Sequence, residues 1–579
     1  MNKTYKTLVL AFVLLILIKS ILVLGVPAPS IFSDEYYYSK MAQSFYSSQE
    51  FSVHGEKVSV YPPLYPIILS PAYLFQDMQT IYSVMKLINV LLTSLVIFPI
   101  FHLSRKLMSE KRALIASIAI SIFPPLFLFP IYLMSENLFY LLILFSVLCL
   151  YNTIKTDKPI WAALTGFFIG VCFLTRVSGI ALFGLPILAF LIKKMFIRPK
   201  NQPFSLKCLL IVYLFLALTI SPWLIPRIIE NGLSLPGVLG VYSKEVTSLT
   251  RHSNFFSTFI NWLLAYPGYL ILAIGVIPAY LIANSIKSIK DKDALLVLLL
   301  PISLFLLITV YSSTGGNQEI IKGFFWFATR PLGRYIEVVA PLLLILAFQG
   351  ISSKTSSKLY TKTFWIIILP LTLAASQLTM TSLFPANNLS LTFLSIVKIG
   401  LSKLIYGEFV ISTLFSWALF LSMGLVILAI SIISLILIRK YKDRVNLKTI
   451  STFLIAVFLV SIAINYPLIV YNSNEYWFKQ DQMQLGLWFN EHNDLKNPKV
   501  LLDENYPGKI EKTNQNFIYQ KFGQGSSSVL GFWINGEIIV GKTTPENLSK
   551  FDYTITKDKL NLGLLRETKS GIRLYKNVH

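Results

Sequence analysis

Long apolar runs recur along this chain, and short clusters of Lys and Arg fall between them. About 20 consecutive apolar residues cross a bilayer as a helix, because in lipid every backbone N–H and C=O must find its partner inside the segment. A chain of such runs folds as a polytopic helical membrane protein. Composition agrees: of 579 residues, 54% are hydrophobic and only 14% charged, against about a quarter charged in soluble domains. A soluble multidomain enzyme is thereby excluded, since its surface would need far more charge. Three Cys and five His are too few for a disulfide scaffold or a multinuclear metal centre of ordinary ligation.

Thirteen spans are expected. They run from Leu8 to Val26, Ile81 to Leu103, Ala113 to Pro130, Asn137 to Tyr151, Ile160 to Leu174, Gly179 to Ile192 and Cys208 to Leu224, then Phe256 to Ile282, Ala294 to Tyr311, Tyr335 to Phe348, Phe364 to Leu378, Val410 to Ile438 and Ser451 to Ile469. The first reads as a retained helix rather than a signal peptide, because it is long enough to span and ends in Pro-Ala-Pro-Ser rather than a small-x-small cleavage site. With the N-terminus cytoplasmic, every inner loop is basic: Arg105 to Arg112, Lys155 and Lys158, Lys193 to Lys200, Lys287 to Lys292, Lys354 to Lys362, and Arg439 to Arg444. This is the positive-inside pattern, and it accounts for the net charge of +23 without nucleic acid. The odd count leaves the C-terminal part outside the cytoplasmic membrane.

Residues 1–471 are therefore expected to form the membrane domain, with a first extracytoplasmic loop over 27–80. Residues 472–579 turn to Asn, Lys, Glu, Asp and Gly with short apolar alternations such as Lys499 to Leu502 and Glu537 to Val540. Such a pattern reads as short strands in a small mixed α/β domain. Neither G-x-G-x-x-G nor a phosphate loop occurs in the chain.

The loops on the outer side are long and carry the unusual residues. Asp34 and Glu35 follow the first span. An acid there is either a general base for a hydroxyl or amine or an interfacial charge pair. Glu136 lies between two apolar runs joined by almost no loop, where a carboxylate is costly and has a partner or a task; helix capping with Ser135 is the plainer reading. Arg176, Arg227, Arg330 and Arg334 are isolated cations at outer span ends, suited to a phosphate or to snorkelling at the headgroups. His54, Lys57 and His252 lie in outer loops, where a divalent cation is possible but no ligand spacing is diagnostic. Tyr36 to Tyr38, Tyr61, Tyr65, Trp223, Trp262 and Trp326 fit an interfacial aromatic belt and equally suit stacking on sugars.

Several of these segments together resemble a known group, the integral-membrane glycosyltransferases of the GT-C type. Within it the likeness is to the family 39 relatives, which include protein O-mannosyltransferases and lipid A aminoarabinose transferases. The resemblance rests on Asp34-Glu35 after the first span, Pro62-Pro63-Leu64, Ser135-Glu136, Leu174 to Arg176 with Gly179, Pro222-Trp223, and Arg334-Tyr335 with Pro341. It implies a polyprenyl-phosphate-linked sugar as donor and a glycan, glycolipid or protein of the cell envelope as acceptor on the outer face of the membrane.

By the same resemblance Asp34 or Glu35 deprotonates or orients the acceptor, and Glu136 positions acceptor or donor sugar. Arg334 and Tyr335, with Arg176, Arg227 and Lys57, meet the donor phosphate, while Tyr61, Trp223 and His54 line the substrate. The reaction implied is an inverting single displacement that needs no nucleotide. The chain departs from the aminoarabinose transferases by carrying Tyr61 where they carry Lys before the paired Pro, which argues against assuming an aminoarabinose donor. Acceptor selection is the expected task of the 472–579 domain. A lipid-linked glycan flippase and a noncatalytic scaffold are the alternatives; transporters commonly show matched halves, whereas here the unusual residues gather on one side.

Overall fold

The computed structural model of the chain describes residues 3–30, 34–57, 61–196, 204–234, 255–315, 333–351, 357–378, 388–409, 416–440, 447–495, 498–503 and 526–577. Among these, ten helices are long and apolar enough to cross a membrane. They become eleven if Glu110–Ser121 and Pro124–Ile131, bent by 65° at their junction, count as one span. Two shorter apolar helices, Pro159–Thr175 and Phe364–Ser376, lie where the sequence leads one to expect spans from Ile160 to Leu174 and from Phe364 to Leu378.

One expected span is divided. The run from Phe256 to Ile282 forms two helices, Phe255–Ile274 and Val276–Ser288, parted at Gly275, whose φ is +95°. That backbone conformation is open to glycine and strained for residues with a Cβ. Pro278 lies in the first turn of the second helix, where its missing N–H costs nothing; in mid-helix it would break the bonding. Hydropathy reads both sides of the break as equally apolar, so it joined them.

The chain makes two compact, interleaved units. The first comprises Met1–Ile16, Leu92–Leu128 and Glu136–Asn465. In it helix Pro159–Thr175 packs on Glu136–Thr156 and on Leu206–Asn231, and Phe255–Ile274 packs on Ser357–Leu378. At one end of three of its helices an ionic network forms. Lys155 Nζ lies 2.9 Å from Asp291 and 3.0 Å from Asp293, Lys193 Nζ lies 3.5 Å from Asp293, and Tyr151 donates to Asp291 at 2.8 Å.

The second unit comprises Leu17–Leu91, Phe129–Ser135 and Tyr466–His579. It holds helix Asp34–Ser48, a short hairpin of β1 (Ser52–Val53) and β2 (Glu56–Lys57), and the apolar helical turns of Leu64–Leu74. Its C-terminal part is a mixed sheet of β3 (Lys499–Asp503), β4 (Glu537–Gly541), β5 (Tyr553–Thr556), β6 (Gly563–Glu567) and β7 (Arg573–Lys576) in the order β4-β3-β5-β7-β6. The two alternating segments that read as strands are adjacent parallel partners, Lys499 opposite Glu537 through Asp503 opposite Gly541. Leu485, Phe489, Val500, Leu530, Ile555 and Leu574 fill the core between sheet and helices.

Helix Pro159–Thr175 approaches its neighbour at a glycine. A Cβ built on Gly166 would lie 2.1 Å from the Val212 carbonyl oxygen, an immovable backbone atom. Gly166→Ala is expected to lower stability by about 1–3 kcal/mol through overpacking, measurable as a lower unfolding temperature in detergent; a variant as stable as the parent would contradict this contact.

Candidate functional site

Glu136 opens helix Glu136–Thr156 and is fully buried. A carboxylate so placed needs compensating charge, and two arginines supply it. Arg176, the residue that ends helix Pro159–Thr175, brings Nη1 to 2.5 Å from Glu136 Oε2. Arg334 brings Nε to 3.9 Å from Oε1. The Tyr335 ring lies under both guanidiniums, 5.7 Å from Arg176 and 5.4 Å from Arg334, and Phe139 lies 5.8 Å from Arg176. Residues that the sequence offers only as isolated charges therefore make one cluster.

The backbone just before Arg334 is held by groups that carry no mark in the sequence. The Gly333 N–H donates to Asn388 Oδ1 at 3.1 Å, and the Tyr269 hydroxyl donates to the same oxygen at 2.9 Å and to Glu337 Oε1 at 3.2 Å. Ser390 N–H adds a bond to Glu337 Oε1 at 3.3 Å. A Cβ on Gly333 would sit 1.7 Å from the Tyr269 oxygen, so only glycine fits before Arg334. Glu337 could have been noticed as a carboxylate one turn past Arg334 in an apolar run. Tyr269 and Asn388 carry no local signal.

Trp223 and Arg227 are brought to each other, one turn apart on helix Leu206–Asn231, with the guanidinium 4.4 Å over the ring. Trp223 also meets Phe173 at 5.8 Å.

In the second unit the acidic pair divides. Glu35 is fully buried, and both its oxygens accept from backbone: Oε2 from Ser30 N–H at 2.8 Å and Oε1 from Leu133 N–H at 3.0 Å. Asp34 is half-buried and accepts from the Tyr61 hydroxyl at 2.9 Å. Tyr61 packs against Tyr37 and Tyr38, and the Tyr38 hydroxyl donates to Ser135 at 3.0 Å, next in sequence to Glu136. Lys86, also unforeseen, donates from Nζ to the carbonyls of Val23 and Val26 at 2.7 and 2.6 Å and so caps the end of the first helix.

His54 meets the C-terminal part of the chain. Its Nδ1 is 2.5 Å from the Gly536 carbonyl oxygen, and Tyr36 lies 5.7 Å from its ring. Burial, with help from the Lys40 charge and against the bond to Gly536, pushes the His54 pKa down to about 3. Burial likewise brings Lys40 down to about 7. Lys57 pairs with Ser52 in the hairpin; its side chain, and Arg330, His252 and Trp326, lie outside the described residues. Among the described residues no three His, Cys, Asp or Glu side chains gather as a metal site.

These environments make two predictions. Removing Arg176 alone strands a buried carboxylate, so Arg176→Ala is expected to cost about 3–5 kcal/mol, and Glu136→Gln with Arg176→Met together less; additive losses in denaturant unfolding would contradict the pairing. His54, neutral when folded, has an unfolded pKa near 6.5. Its contribution is complete above about pH 6.5 and is lost as pH falls toward 3. A pH series of unfolding temperatures should fall through that window, and His54→Gln should flatten it.

The sequence profile of the family described as dolichyl-phosphate-mannose-protein mannosyltransferase matches residues 61–225, less than a third of the chain. No curated protein sequence matches. Among solved structures, the fold is similar to that of ArnT from Cupriavidus metallidurans bound to undecaprenyl phosphate, with a TM-score of 0.58 and 13% identity over 98% of each chain. The apo state of the same protein aligns with a TM-score of 0.54 at 13% identity, over 99% of this chain and 98% of that one. The likeness at such identity is one of fold, and it runs from end to end: the chain has the membrane fold of that protein, and its residues 61–225 match the mannosyltransferase family profile.

Proposed function

We propose that the protein is a glycosyltransferase that moves a sugar from a polyprenyl-phosphate carrier to a cell-envelope glycan, lipid or protein at the outer face of the cytoplasmic membrane. The observation that carries this reading is the convergence of Arg176 and Arg334 on the buried Glu136. Carboxylate and ring contacts fix two guanidinium planes before any substrate arrives, as preorganised stabilisation of a departing phosphate requires. The end-to-end fold likeness to ArnT, a protein seen with undecaprenyl phosphate, supports a lipid phosphate as the leaving group.

In this reading Glu136 orients the two arginines, and Arg334 and Arg176 neutralise the phosphate as the sugar leaves. Tyr335, Arg227 and Lys57 add to the donor side, and Trp223, Tyr61 and His54 to the substrate side. Asp34 takes the acceptor proton in a single inverting displacement. Glu35, whose two oxygens each accept a backbone N–H, positions the turn that bears Asp34. Thirteen spans, an internal N-terminus and an external C-terminal domain complete the reading. The network of Lys155, Lys193, Asp291 and Asp293 supports that orientation, because it gathers helix ends that the charge pattern assigns to the inside.

Asp34→Asn is expected to leave the fold intact and lower turnover about 100-fold or more. Arg334→Ala should lower kcat/KM for the donor. Steady-state transfer by the full chain in lipid nanodiscs checks both; two variants as active as the parent would sink the residue assignment.

A further inference from the structure

We propose that the C-terminal domain serves this reaction as a clamp on the helix bearing the acidic pair, with Lys40 as the positioning residue that closes it. The inference rests on the role given to Asp34 above and adds a task for the domain other than acceptor selection.

Helix Asp34–Ser48 is held on two sides. Glu35 and Tyr38 bond to Leu133 and Ser135. Tyr36 and Lys40, four residues apart and so on one face, meet the segment from Gly531 to Gly536. Lys40, only 2% exposed, donates from Nζ to the Ile534 carbonyl at 2.7 Å and to Gln43 at 3.2 Å. Ile534 directly follows helix Ser526–Trp533, whose last carbonyls lack partners within the helix and attract a donor.

A second bond, from His54 to Gly536, reinforces the first. The approach is tight at Gly531, where a Cβ would lie 3.0 Å from His54 Nε2, 3.2 Å from Ile538 and 3.3 Å from a Tyr36 ring carbon, so a side chain there pushes on these neighbours.

A buried amine is an expensive way to fill space, and apolar residues of similar volume often stabilise a core as well or better. What the amine adds is a directed bond. Asp34 stands six residues from Lys40, about 9 Å along the helix axis at about 1.5 Å per residue. A helix freed at Lys40 keeps only its Glu35 and Tyr38 contacts, and turning about them re-aims the Asp34 side chain. Misplacement of a reacting group by about 1 Å costs on the order of 100-fold in rate.

The test compares Lys40→Met and Gly531→Val in the full chain in nanodiscs. Each is expected to lower kcat about 10-fold or more while donor and acceptor KM stay within about twofold, and the double variant to be no worse than the poorer single one. In an Asp34→Asn background, Lys40→Met should cost nothing further, because there is no base left to position. Hydrogen exchange of amides 36–48 should quicken in both variants while β3 and β5 stay protected.

A change in acceptor KM alone, an equal loss in the Asp34→Asn background, or unchanged exchange in helix Asp34–Ser48 would each overturn the clamp. A parent protein silent with every polyprenyl-phosphate sugar would overturn the proposed reaction instead, and exchange alone would then decide whether the clamp exists.

Discussion

Carboxylates removed from water must be compensated inside the protein, and three of them organise the polar parts of this otherwise apolar molecule. Glu35, Glu136 and Glu337 are each fully buried, and each is answered differently. Glu136 takes guanidinium groups, Glu35 takes two backbone N–H groups, and Glu337 takes a tyrosine hydroxyl and a backbone N–H. The different answers separate their roles. A carboxylate bonded to backbone N–H groups fixes chain geometry, whereas one paired with arginines fixes the position of their charge. Lysine would not serve in place of Arg176 or Arg334, because a point charge lacks the planar fork that meets a carboxylate on one edge and still presents donors on another.

The same reasoning distinguishes the two acids that follow the first span. Each Glu35 oxygen accepts a backbone N–H, and these bonds hold Ser30 and Leu133 in place. Asp34 accepts from the Tyr61 hydroxyl and is half-buried, and it is the acid to which the proposed reaction gives the acceptor proton. Around it Tyr37, Tyr38 and Tyr61 form an aromatic wall whose faces suit the apolar face of a sugar ring.

Much of this was legible in the sequence, and the remainder was hidden for physical reasons. Apolar runs, charge clusters and strand alternation are local patterns, so helices and the strands β3 and β4 followed from them, whereas the parallel pairing of those strands did not. The division at Gly275 escaped because hydropathy does not register backbone dihedrals. Glu136, Arg176 and Arg334 stood out one by one as charges in costly places, but their pairing joins segments distant in sequence and has no local trace. His54 read as a solvated loop residue with a possible ligand role; its bond to Gly536 depends on where a domain some 480 residues later docks. Tyr269, Asn388, Lys86 and Lys40 were missed for the same reason, since an isolated polar residue in an apolar run does not name its partner.

The proposed reaction has a sugar leave a polyprenyl phosphate beside Glu136, Arg176 and Arg334. Its most direct measurement is stoichiometric: purified protein in nanodiscs with a panel of polyprenyl-phosphate sugars labelled separately in sugar and lipid phosphate, and envelope extract as acceptor. One donor class is expected, from which each sugar transferred releases one polyprenyl phosphate, with inversion at the anomeric carbon. Folded protein that moves intact sugar-phosphate lipid across the bilayer, with the glycosidic bond unbroken, would contradict it.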